Sequence, residues 1–214
     1  MGGRGASSGG EGWLGGGGGV TINPLDITSL VSAREGKQTE VDETLQTFKD
    51  MHEKYGYAAD DLQLVTLTGA DNVALAYYDG SNVAFNKSYF NKAKMESVYA
   101  DFVKSGFHPS NGNKTALQAV ASHEIGHALT DKVISKMGSK LGKQDGAEAI
   151  LKEAQKQVGN RGKLVKMASK ISGYAKESAR ECIAEAFSDV YCNGGRAKKE
   201  SQSIVDVMNK YLNS

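Results

Sequence analysis

His123-Glu124-Ile125-Gly126-His127 is the segment whose residue types and spacing carry the most chemistry. On a helix, positions four apart stand one turn above one another on the same face, where two imidazole nitrogens reach a single metal ion. Glu124 is rotated by about 100° from His123 and addresses a water at the metal instead of the metal. H-E-x-x-H on a helix is a zinc-peptidase pattern in which the glutamate is the general base. The flanks are helix-forming: Ala116, Leu117, Ala119, Val120 and Ala121 precede, and Ala128 and Leu129 follow. A mid-helix glycine costs about 1 kcal/mol relative to alanine, so Gly126 predicts close approach by another backbone. The competing reading is a helix with two histidines satisfied by local hydrogen bonds.

Catalytic zinc usually takes three protein ligands and keeps one open position. Of the two other histidines, His52 lies beside an apolar helix stripe and reads as solvated or packed. His108 precedes Pro109 in a loop, with substrate contact as its minor alternative. Carboxylates are the better source. Glu181, Glu185 and Asp189 recur every four residues in ARECIAEAFSDVYC, where Ile183, Ala184, Ala186, Phe187, Val190 and Tyr191 cover most of the circumference. At least one carboxylate is therefore expected near the interior, where it requires a cation or hydrogen-bond donors. Zinc and the histidine Nδ1–H groups would supply both; the alternative is the charged outer face of an ordinary helix. Asp189 is placed either to orient a histidine or to face solvent. Cys182 points about 100° away from Glu181 and reads as buried packing.

HEIGH, then Tyr174, then Glu181-Cys182-Ile183-Ala184-Glu185-Ala186-Phe187 resembles the zinc peptidase domain of anthrax lethal factor and its phage- and mobile-element-encoded relatives, gluzincins of the lethal-factor-like type. In that family a tyrosine lies seven residues before the glutamate ligand, the separation of Tyr174 and Glu181 here. The resemblance spans roughly residues 60–192 and is strongest in the two motif segments. It implies His123, His127 and Glu181 as zinc ligands, one ion per chain, with Glu124 as general base. It further implies Tyr174 as oxyanion stabiliser and Glu185 as a residue behind the ligands. No segment matches a toxin's substrate groove, so no particular substrate is implied.

These residues need elements to position them. Val41, Leu45, Phe48 and Met51 form the apolar stripe of a helix over 39–55. Residues 62–67 alternate as a strand, and 72–78 and 82–86 form a hairpin about Asp79-Gly80-Ser81. The resemblance to zinc peptidases of this build implies that the strand at 82–86, which precedes the active helix, is the sheet edge above the cleft, where a peptide could add as a further strand; a plain edge strand is the alternative. Helices are expected over 91–104, 114–136 (the active helix), 177–193 (the third-ligand helix) and 199–212, with one or two more over 140–176 broken near Gly159-Asn160-Arg161-Gly162. Residues 20–33 read as irregular, with a turn at Asn23-Pro24. This segregated order predicts an α+β zincin-like fold with a small twisted sheet, a hairpin edge strand and a helical C-terminal half.

Of the 214 residues, 1–19 hold 11 of the 26 glycines and read as a flexible tail before a single domain over 20–214. A net charge of +1 gives no electrostatic reason for a nucleic-acid partner. No apolar run is long enough for a membrane span, and no secretory signal is visible. Location in the producing cell's cytoplasm, in a virion or after delivery stays open. Two cysteines make no disulfide framework. Between Lys132 and Lys176, 11 basic residues face three acidic ones. That excess reads as a solvated helical face, with a basic rim for acidic substrate segments as the alternative. The function expected is a zinc metalloendopeptidase acting on protein or peptide. The alternatives are a virion or interaction protein that keeps the fold without hydrolysis, and a zinc amidase acting on cell-wall peptide.

Overall fold

The computed structural model describes residues 22–29, 33, 36–57, 62–68, 73–138, 142–159 and 161–213. The proposed tail at 1–19 lies outside them. The elements are β1 (Ile22–Ser29), α1 (Gln38–Tyr55), β2 (Leu62–Leu67), β3 (Ala76–Tyr78), β4 (Val83–Asn86), α2 (Lys92–Lys104), α3 (Ala116–Lys136), α4 (Lys143–Gln157), α5 (Leu164–Ala168), α6 (Ala179–Asn193) and α7 (Lys199–Leu212). The fold is α+β: a small mixed sheet followed by a helical C-terminal half.

The strands run in the order β1-β2-β4-β3, with β2 and β4 parallel and both outer pairs antiparallel. Two expectations are corrected here. The 82–86 strand is not the edge: β2 covers its outer side, and the edge above the cleft is the other hairpin arm, β3. Residues 22–29 are not irregular but form β1, paired to β2 with a register shift between Ile22 and Ile27. Pro24 lies in that interval, where the broken ladder makes no demand on the N–H that proline lacks. The hairpin turn is held as expected, with Asp79 Oδ1 accepting from Ser81 N at 2.9 Å and Asn82 N at 2.7 Å.

Helix α3, which carries His123 and His127, is buried from Ala116 to Thr130 except at the half-buried Gln118. Its start is fixed by a reciprocal capping box between Thr115 and Gln118. Its largest neighbour is α6. Gly126 sits at that contact: a Cβ there would stand 3.0 Å from Ala184 Cα and 3.1 Å from Phe187 Cβ. The neighbours are backbone and first side-chain atoms of a packed helix, so they cannot rotate away. Gly126→Ala therefore loses more by overpacking, about 1–3 kcal/mol, than the roughly 1 kcal/mol that alanine returns in helix propensity. Thermal unfolding of the variant is expected at a lower midpoint. A higher midpoint would mean that α6 yields freely.

A partly buried ion pair ties α6 to α3. Arg180 donates to Asp131 Oδ1, while Lys143 holds Oδ2 at 2.7 Å. Burial pushes the Asp131 carboxyl up, but Arg180 and Lys143 outweigh it and hold it below its ordinary value. A carboxyl depressed on folding stabilises above its unfolded pKa, near 3.9, and that contribution is lost as pH falls through the folded value. Asp131→Asn strands a buried guanidinium and is expected to cost on the order of 3 kcal/mol at pH 7. In urea titrations the gap between wild type and variant should close below about pH 4. A gap unchanged down to pH 3 would show that the pair does not carry the acid sensitivity.

Candidate metal centre

His123 and His127 project from one face of α3 with ring centroids 5.0 Å apart, as their spacing requires. The facing carboxylate is Glu181, placed in the first turn of α6 by its cap: Ser178 Oγ accepts from Glu181 N at 3.1 Å. Glu181 Oε2 lies 3.1 Å from His123 Nε2 and 3.3 Å from His127 Nε2. One ligand atom from each of the three residues falls within 4.8 Å of the others, and all three residues are buried.

The donor set fits a small divalent cation. Ligands about 2.05 Å from a tetrahedral zinc are spaced about 3.3 Å from one another. The two Nε2–Oε2 separations match that spacing. The charges also ask for a cation. Glu124, Glu181 and Glu185 are 3, 3 and 1 % exposed, and buried carboxylates are costly without positive charge. Burial works against charging His123, yet Glu181 and Glu185 beside it raise its imidazole well above the ordinary value. Conversely, burial pushes the Glu181 carboxyl up, and His127 and His123 bring it far below the usual range.

Glu185 lies one turn further along α6 and behind His123. Its Oε1 is 2.8 Å from His123 Nδ1, off the line of a hydrogen bond, and 2.9 Å from His108 Nδ1. Its Oε2 accepts from Ser172 Oγ at 2.7 Å. Burial opposes ionisation of Glu185, but His108 and His123 outweigh it and hold the carboxyl at about 2. His127 Nδ1 is buried with no hydrogen-bond partner.

Glu124 lines a small cleft of about 30 Å³ beside His123, together with Leu75, Ala76, Val120, His108 and Tyr174. Burial raises the Glu124 carboxyl above its ordinary value. The Tyr174 ring is buried 5.8 Å from the His123 ring and 5.3 Å from that of His108. The α2–α3 loop holds its segment in place, with Gly173 N and Tyr174 N donating to Gly106 O and Phe107 O at 2.8 and 2.9 Å.

Not every sequence candidate meets the histidines. Asp189 is buried, but its oxygens accept from Asn193 Nδ2 and Lys198 N, each at 2.9 Å, at the C-terminal end of α6. Cys182 is fully buried, and burial pushes its thiol up. His52 is exposed on α1, away from the site. Of the basic excess, Lys143, Lys152 and Lys170 are paired with Asp131, Glu148 and Glu200. His108, expected in a loop, lies against Glu185. A loop histidine before proline carries no spacing signal, and only folding brings it to Glu185, 77 positions away.

No family model, curated protein or solved structure matches the chain. Among the described residues, no helix is long and apolar enough to cross a membrane.

Proposed function

We propose that this chain is a zinc-dependent metalloendopeptidase with a zincin-like domain of the gluzincin, lethal-factor-like type. The observation that carries the reading is the convergence of His123, His127 and Glu181, whose ligand atoms lie within 4.8 Å of one another with Glu181 Oε2 3.1 and 3.3 Å from the two Nε2 atoms, and with Glu124 on the wall of the adjoining cleft. When bound, zinc supplies a water of pKa near about 7 and polarises a substrate carbonyl. Glu124, made more basic by burial, takes a proton onto its carboxylate and returns it to the leaving amine. Tyr174 donates from its hydroxyl to the oxyanion developing on the carbonyl. Substrate lies along β3, the last strand in the sheet order among the described residues, whose Ala76 lines the cleft beside Leu75. Main-chain pairing there gives affinity, and the apolar wall gives side-chain preference.

Elemental analysis of the purified protein, together with hydrolysis of a quenched-fluorescent peptide library, tests the reading. One zinc per chain and cleavage abolished by chelator are expected. A metal-replete protein without zinc would remove the enzyme reading and favour a non-hydrolytic interaction protein.

A further inference from the structure

Glu185 is gripped from three sides in a place water barely reaches. Its side chain is 1 % exposed, and His123, His108 and Ser172 surround its two oxygens. A glutamate behind a metal-binding histidine fixes that ring only if the glutamate is itself fixed. Ser172 and His108 perform that task from different segments. His108 sits in an aromatic slot. Its ring stacks on Tyr99, with centroids 5.5 Å apart and planes within 4°, and meets Phe102 and Phe107 edge-on at 5.3 and 5.0 Å. The backbone just before it is tied to residues 173 and 174 by the two bonds that also set Tyr174. His108 Nδ1 stands 2.9 Å from Glu185 Oε1, while Ser172 Oγ donates to Oε2 at 2.7 Å, so each carboxylate oxygen has a hydrogen-bond partner of its own.

We propose that His108 is a positioning residue of the metal centre: through Nδ1–H it locks Glu185 in the orientation that holds His123, and so sets the affinity of the His123–His127–Glu181 group for its metal. The proposal rests on the metal-centre reading above. It differs from a packing role, in which the ring only fills its aromatic slot.

Three variants separate the roles. His108→Phe keeps an aromatic ring in the slot and removes the donor. His108→Asn sets an amide N–H where Nδ1 stood, and His108→Gln carries its amide one methylene further, where Nε2 stood. Zinc affinity is measured by competition with a chromogenic chelator, and the thermal midpoint of each metal-free protein is recorded alongside. His108→Phe and His108→Gln are expected to bind zinc about 10–100-fold more weakly, the range that partners behind metal ligands typically command. His108→Asn is expected to stay near wild type although it fills the slot worst and melts lowest. Equal affinity in wild type and His108→Phe would overturn the proposal, as would affinities that follow the melting order. A wild-type chain that binds no zinc would overturn the metal-centre reading itself. Zinc held tightly by wild type and undiminished in His108→Phe would overturn only the role of His108.

Discussion

Glu124→Gln protein is expected to keep its zinc and its fold while hydrolysing peptide about 10³-fold more slowly than wild type, within the 10²–10⁴-fold typical of a positioned general base. The substitution preserves shape and takes away only the basic oxygen. It also removes a carboxylate that burial already disfavours, so the thermal midpoint should hold or rise. Initial rates on the same peptide, at equal measured zinc content, decide the matter. Activity within tenfold of wild type would dismiss Glu124 as the base and leave the metal centre standing.

Glu181→Ala is expected to weaken zinc binding by more than about 100-fold, beyond what partners behind the ligands usually contribute, whereas Glu185→Ala should fall inside the 10–100-fold range. The order follows from the contacts. Glu181 Oε2 faces both Nε2 atoms, while Glu185 reaches only the far side of His123. Thermal shift provides a second readout, because a ligand at 100 times its Kd stabilises the folded state by about 2.7 kcal/mol. Wild type should gain this with added zinc and Glu181→Ala should not. Equal zinc affinity in wild type and Glu181→Ala would mean that the third ligand is another residue.

The α+β class and most helix boundaries were legible because they depend on local patterning. The apolar stripe of α1 and the Asp79 turn act over a few residues, and the structure places them where the sequence does. Sheet order was not legible. A hairpin can join a sheet by either arm, and nothing local to 76–86 says which arm β2 will cover. β4 is thus central and β3 is the edge. β1 was missed because Pro24 signals a turn, and only pairing with β2 shows that a broken register absorbs it.

The site divides along the same line. Helical geometry alone sets His123 and His127 on one face, and the cost of a mid-helix glycine pointed to the close approach now seen between Gly126 and Ala184. The spacing of Glu181, Glu185 and Asp189 makes them one stripe, drifting by about 40° at each step. A stripe does not say which member meets a histidine. Packing of α6 across α3 assigns Glu181 to the two Nε2 atoms, Glu185 to the back of His123, and Asp189 to the end of its own helix. His108 joins only through the α2–α3 loop. Periodicity is a property of consecutive residues and survives in the sequence, whereas the docking of two helices and a loop depends on side chains far apart in the chain, and only the folded structure brings them together.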